Sequence, residues 1–348
     1  TALVMNGGVT DIREIAGEIL GLREERARLL GYDSFAAYKL ETEMAKTPEA
    51  VRDLLMAAWA PARAKAEADA AALTERLHAD GINGDLRPWD WRYYAEARRK
   101  DEHDLDESAL KPYLQLDRLL AAAHECGHAL HQMLSDVTYE SLSGTSVARD
   151  FVELPSQLYE HWLEVPEVLA EFATHAETGE PMPQAMLDRL LAAQNYDMGF
   201  QTVEYVASAL ADLGFHEGAA PADPMARQAE ILAEIGMPEA IGMRHATPHF
   251  AHVFAGDGYS SGYYSYMWSE VMDADAFEAF REAGSAFDET VARVLEAEIL
   301  SIGGTQEAEA AYTAFRGRMP GVEALLKGRG LDSAAGGGGG EWGVGWCA

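Results

Sequence analysis

"AAAHECGHALHQML", residues 121–134, places two histidines four apart with a glutamate directly after the first. On a helix turning about 100° per residue, His128 falls about 40° from His124, one turn along the same face. Two imidazoles so placed can grip one Zn2+. Glu125 lies about 100° round, beside the metal position, where a carboxylate can take a proton from water and pass it to a leaving amine. Cys126 points about 200° away, onto the side expected to pack, and is not read as a ligand. Gly127 is a poor helix former whose use is to let another backbone approach closely. The pattern also arises by chance on amphipathic helices, and His131 shares the face, so a catalytic zinc needs a third ligand. The candidate is Glu153 in "RDFVELPSQ", 25 residues beyond His128. A carboxylate at the head of the apolar run "FVELPSQLYEHWL" is costly to bury unless it meets a cation or a hydrogen-bonded partner. The residues alone leave a second reading open, in which Glu153 and Asp150 cap their own helix.

Outward from this stretch, helical periodicity dominates. "TDIREIAGEILGLREERARLLG" has an acidic, cappable start and a glycine stop. The window from Thr47 opens with a cap and a first-turn proline, Pro48, and Pro61 is expected to kink it. "LRPWDWRYYAEARRK" reads as a turn entering a helix, and residues 183–214 as one long helical window. Alternating strand patterns are scarce. The expected fold is mainly α with little β, a helical metallopeptidase-like domain with the His-Glu-x-x-His helix followed by the helix of Glu153. The expected organisation is an N-terminal helical part over 1–120, a zinc-binding catalytic helical part over 121–332, and a flexible Gly-rich tail over 333–348, "SAAGGGGGEWGVGWCA".

A chain of 348 residues with 48% hydrophobic and 24% charged content can bury a large core as a globular protein. No apolar run is long enough to span a bilayer. The net charge of −31 argues against nucleic-acid and anionic-membrane partners, which would repel it. Two cysteines, Cys126 and Cys347, exclude a disulfide framework. The N-terminus shows no signal peptide, so a cytoplasmic location is expected.

"HECGHALHQMLS" followed by "SLSGTSVARDFVELPSQLYEHW" closely resembles the zinc oligopeptidases of the oligopeptidase A, peptidyl-dipeptidase and thimet oligopeptidase family. The likeness continues through "HAETGEPMP" and "FAHVFAGDGYSSGYYSYMWSEVMDADAFEAF" to "LLKGRGL", and upstream through "IAGEILGLREERARLLGYDSFAAYKLETEMAKTPEAV". It spans nearly the whole chain except the tail. The resemblance implies one Zn2+ per chain on His124, His128 and Glu153, with Glu125 as general base and acid, and it favours the ligand reading of Glu153. It also implies a Gly- and Tyr-rich loop closing over short peptide substrates. By motif position His252, Gly258, Tyr259, Tyr263 and Tyr266 bind the peptide, and His252, Tyr259 and Tyr266 serve the oxyanion of the tetrahedral intermediate. A phenol donor aimed at a developing oxyanion stabilises the transition state more than the substrate. Gly256, Gly258 and Gly262 would let the loop hinge, and Tyr264 is assigned to packing. Pro248 breaks the helical register of His245, His249 and His252, so these are not read as a second metal site.

Three departures from the family pattern stand out. The family's N-terminal helical lobe is absent from this sequence. "KPYLQLDRLL" runs directly into "AAAHECGHALH", where the family carries a long segment with an edge strand that pairs with bound peptide; a deletion near Leu120 is expected to weaken substrate binding. The residue after the motif glutamate, usually aromatic, is Cys126, which should leave a void in a packed face. The reading is a zinc metallopeptidase of short peptides. The alternatives are a shortened relative that binds zinc and peptides with little or no turnover, and a helical protein with a vestigial motif.

Overall fold

The computed structural model describes residues 11–104, 110–113 and 116–332, and among them the fold is helical, with one isolated bridge, Thr174 to Pro181, as the only strand-like pairing. The mainly α class is as the periodicity required. The glycine-rich tail lies outside the described residues.

The helices in chain order are α1 (Arg13–Leu29), α2 (Phe35–Leu40), α3 (Pro48–Ala79), α4 (Pro88–His103), α5 (Leu116–Met133), α6 (Arg149–Val152), α7 (Leu154–Glu160) and α8 (Pro166–Phe172). After them come α9 (Gln184–Ala192), α10 (Met198–His216), α11 (Pro224–Glu234), α12 (Ala251–Phe254), α13 (Ser265–Ala283), α14 (Glu289–Leu295), α15 (Ala308–Arg316) and α16 (Glu323–Gly328). Local chemistry explains the starts. Thr47 accepts from the Ala50 amide ahead of Pro48, and the Asp90 carboxylate accepts from the Arg87 amide at the head of α4. Helix α3 continues as one element through Pro61.

The single helix expected over 183–214 breaks into α9 and α10. Asp197 sits in the left-handed region at φ 60, which no helix interior accommodates. The break is held because Asp197 accepts from Trp91 Nε1 at 2.9 Å and the Tyr196 hydroxyl donates to the Ala95 carbonyl at 2.7 Å. Tertiary hydrogen bonds here override a continuous apolar periodicity. Helices α2, α15 and α16 carried no signal strong enough to be read.

The centre of the molecule is α3 against α10, contributing Leu55, Trp59, Val203, Val206 and Leu210 to one core that also takes in Phe277 and Phe280 of α13. Fully burying side chains of this kind is worth roughly 1.5–3 kcal/mol each. Helix α13 lies across α6 and α7. Asp150, at the head of α6, is fully buried and accepts from the Met44 and Ala45 amides at 2.9 and 3.0 Å and from the Tyr264 hydroxyl at 2.8 Å. Its carboxylate ties α6 to residues 44–45 and α13. The capping reading of Asp150 is therefore incorrect, because both its oxygens are used by distant segments. No helix among the described residues is long and apolar enough to cross a membrane.

Candidate metal centre and tyrosine loop

Helix α5 carries His124 and His128 on adjacent turns, their rings 4.9 Å apart and nearly perpendicular at 86°. Facing them is Glu153, at the joint between α6 and α7 and only 4% exposed. Its Oε2 lies 3.4 Å from His124 Nε2 and 3.2 Å from His128 Nε2. Donors about 2.1 Å from a tetrahedral ion stand about 3.4 Å from one another. Both His–Glu separations thus match the spacing of ligands on one zinc ion, and the three atoms all lie within 4.8 Å of one another. Among the described residues these three form the one such group of histidine, cysteine and acidic side chains.

The surroundings orient the tripod. Glu160 holds His124 Nδ1 at 2.7 Å, which turns Nε2 toward Glu153, the carboxylate–histidine arrangement seen around metal ligands. Hydrogen bonds to the Glu153 and Glu160 carboxylates raise the His124 imidazole to about 10. Burial pushes the Glu153 carboxyl upward, but hydrogen bonds with His124, His128 and Tyr259 outweigh it and hold the group well below the usual carboxylate range. Ser156 adds a hydroxyl donor to Glu153 Oε2 at 3.0 Å. In chemical terms, this is a buried carboxylate kept ionised beside two imidazoles, a site that favours a cation.

Gly127 explains how α5 comes so close. A Cβ there would lie 2.5 Å from Ser156 Cα and 2.6 Å from the Pro155 carbonyl oxygen. The α5 and α7 backbones cross at this glycine, which sets the histidine pair against Glu153. The buried stripe of α5 therefore centres on Gly127 and His131, about 300° and 340° round from His124. Cys126, more than 90° from that stripe, is exposed. Its expected place on a packed side, and the void expected from its small size, are both incorrect: α5 is covered from the glycine side. Glu125 is exposed for the same reason. His131 is 0% exposed with neither ring nitrogen partnered by protein. Burial, with a further push from His128, lowers its imidazole to about 4, so it is neutral at pH 7.

The second half of the site comes from residues 250–266. The Tyr259 hydroxyl donates to Glu153 Oε1 at 2.9 Å. Its ring stacks on Tyr266 at 5.3 Å and 8°, and His252 meets both edge-on, at 5.7 and 6.3 Å. Arg149 lies 5.0 Å over the Tyr259 ring. Burial, then the hydrogen bond to Tyr259, keeps the Tyr266 phenol protonated, well above its ordinary value. Tyr263 and Tyr264 are buried instead, with Tyr263 Oη 3.1 Å from His245 Nε2 and Tyr264 on Asp150. Gly258 is exposed, and a Cβ on it would approach only Arg149, at 4.0 Å.

The loop is pinned from outside the motif. Asp212, 1% exposed, accepts from the Ser261 amide at 2.9 Å and the Tyr263 amide at 3.0 Å. This holds Ser261 at φ 55, a left-handed conformation that costs a non-glycine residue about 1–2 kcal/mol. The special backbone position of the loop is thus a serine, while Gly256, Gly258 and Gly262 have no positive φ. Arg23 of α1 donates to the carbonyls of Val253 at 2.6 Å and Gly256 at 2.9 Å and touches His216, whose Nδ1 meets the Asp212 carbonyl at 2.7 Å. Glu160, Asp212, Arg23 and Arg149 were missed by sequence reasoning. Only Glu160 left a trace, one helical turn beyond Ser156 and Gln157 on the helix that begins beside Glu153.

The family model described as Peptidase family M3 matches residues 8–122 and 114–331. The chain is 27% identical to the dipeptidyl carboxypeptidase of Escherichia coli over 427 positions, covering 92% of this chain and 62% of that protein. It is 30% identical to oligopeptidase A of the same bacterium over 433 positions, covering 94% and 63%. A thimet-like oligopeptidase of Dictyostelium discoideum is 33% identical over 221 positions, covering 62% and 32%. The chain thus spans under two thirds of the length of these relatives. The first two alignments are longer than the chain's 348 residues, and the family match divides at residues 114–122, immediately before the motif.

Proposed function

Because the chain belongs to peptidase family M3, we propose that it hydrolyses peptide bonds of short peptides, in the manner of an oligopeptidase or peptidyl-dipeptidase, with one Zn2+ per chain on His124, His128 and Glu153. The observation that carries this reading is the tripod, with His–Glu separations of 3.4 and 3.2 Å and an acidic residue, Glu125, adjoining it. Bound there, zinc would polarise the scissile carbonyl and acidify an attacking water. Glu125 takes the proton from that water and returns it to the leaving nitrogen. The Tyr259 hydroxyl donates to Glu153 and the Tyr266 ring stacks on Tyr259, so both phenols stand at the centre. Swung toward the substrate, these hydroxyls and His252 stabilise the oxyanion.

Weak turnover is the second reading, and the division of the family match at 114–122 favours it. Shortening there removes backbone that would pair with an extended peptide. The exposure of Glu125 points the same way, since water screens the charges on which the chemistry depends. Hydrolysis of a fluorescence-quenched peptide, abolished by a chelator and restored by zinc, tests the first reading. The Glu125→Gln variant should keep its zinc and lose about 10²–10⁴-fold in rate. Chelator-insensitive hydrolysis, or near wild-type turnover in that variant, would refute it. Stoichiometric zinc without hydrolysis of any peptide would establish the second.

A further inference from the structure

Beside the tripod lies a cavity of about 540 Å3 lined by residues of α4, α7–α9 and α13 and by Arg329, just beyond α16. Glu160 joins the two: it lines the cavity and holds His124. At the cavity wall His161 Nε2 meets Asp273 Oδ1 at 2.7 Å. Asp273 is 2% exposed, and its second oxygen, Oδ2, has no protein partner. Gln157 also lines the cavity, and its Oε1 is likewise buried without a protein partner. Both unmet atoms are acceptors. Two arginines reach the cavity but are already neutralised, Arg329 by a bidentate pair with Glu270 at 2.6 and 2.5 Å, and Arg99 by Glu96 at 2.7 and 2.9 Å. Burial pushes the Asp273 carboxyl up to about 7 against the pull of His161.

We propose that this cavity is a subsite for the guanidinium group of a basic peptide side chain, received by Asp273 Oδ2 and Gln157 Oε1. The chemistry follows from the inventory. A planar cation with several N–H donors satisfies two acceptors at once, and it gains more from a carboxylate than a neutral donor does. The position follows from Glu160, since one side chain separates the cavity from the metal tripod. As a substrate subsite it rests on the peptidase reading above; as a cation site it does not.

The test separates the two. Calorimetry on the zinc-loaded Glu125→Gln protein, with agmatine as probe, reads binding without hydrolysis. Agmatine should bind, Asp273→Asn should weaken it at least tenfold, and Gln157→Glu should tighten it, a gain that a merely damaged fold does not give. On the wild-type protein, peptides carrying arginine should be cleaved with kcat/KM at least tenfold above norleucine-matched peptides, and Asp273→Asn should erase the difference. No agmatine binding, or equal binding by wild type and Asp273→Asn, overturns the site. Agmatine binding with no arginine preference among cleaved peptides overturns its role as a substrate subsite and assigns it to a free cation. If no peptide is cleaved at all, tighter binding of arginine peptides than of norleucine peptides to the same protein supports the subsite, and equal binding overturns it.

Discussion

Gly127→Ala is the smallest change that should disturb the metal centre without touching a ligand. The added methyl would sit 2.5 Å from Ser156 Cα and 2.6 Å from the Pro155 carbonyl oxygen, both backbone atoms that cannot rotate away. Reaching an ordinary contact of 3.4 Å requires α5 and α7 to part by about 0.9 Å. The histidines ride on α5 and Glu153 on the head of α7, while metal–ligand distances tolerate only about 0.2 Å. Two energies oppose each other. Alanine in place of glycine favours the helix by about 1 kcal/mol, whereas overpacking costs about 1–3 kcal/mol, with backbone-on-backbone contact at the upper end. The clash wins by about 2 kcal/mol, a fall of about 3 °C in Tm for a chain of this length. Zinc affinity, read by competition with a metal buffer, should fall about tenfold or more, by analogy with losses from residues that orient ligands. A variant with zinc affinity within twofold of wild type and an unchanged or higher Tm would show that the crossing does not position the tripod.

Other outcomes follow from the same geometry. His128→Ala should abolish stoichiometric zinc, measured by elemental analysis; unchanged metal content would remove His128 from the tripod. Tyr266→Phe should lower kcat with little change in KM, because its hydroxyl would act chiefly in the transition state; an effect confined to KM would assign it to substrate binding instead. His131 gives a pH dependence. Its folded value of about 4 lies below the ordinary 6.5, so the unfolded chain binds the proton more readily, and this contribution to stability is present above pH 6.5 and lost as pH falls toward 4. The loss is on the order of 3 kcal/mol. Chemical denaturation across pH 4–7 should show it, and His131→Leu, which removes two unpartnered nitrogens, should flatten that slope; an unchanged slope would place the titration elsewhere.

The helix wheel foretold that His124 and His128 share a face, because one helix fixes their relation. It could not tell which side of α5 is covered, since the covering atoms belong to Pro155 and Ser156. That is why Gly127 was read correctly as a close approach and Cys126 was placed on the wrong side. Glu153 could be found from the cost of a carboxylate in an apolar run. Asp150, three residues earlier, looked like a cap because its partners at Met44, Ala45 and Tyr264 lie about a hundred residues away on either side. The break at Asp197 was hidden for the same reason: its stabilising donor is Trp91. Local order is written in spacing, whereas the roles of Asp150 and Asp197 depend on hydrogen bonds across the fold.

Arg23 and Asp212 grip the tyrosine loop without approaching the two histidines. On the proposed reading, holding the metal and using it are therefore separable inheritances in this molecule. On that reading, drift at either anchor would lower stability, because both are buried and hydrogen-bonded, and would leave the two histidines in place while the phenols are no longer presented. Metal content alone is then a poor witness to competence, and a lineage could lose its chemistry through the first helix while every residue of the motif stayed intact.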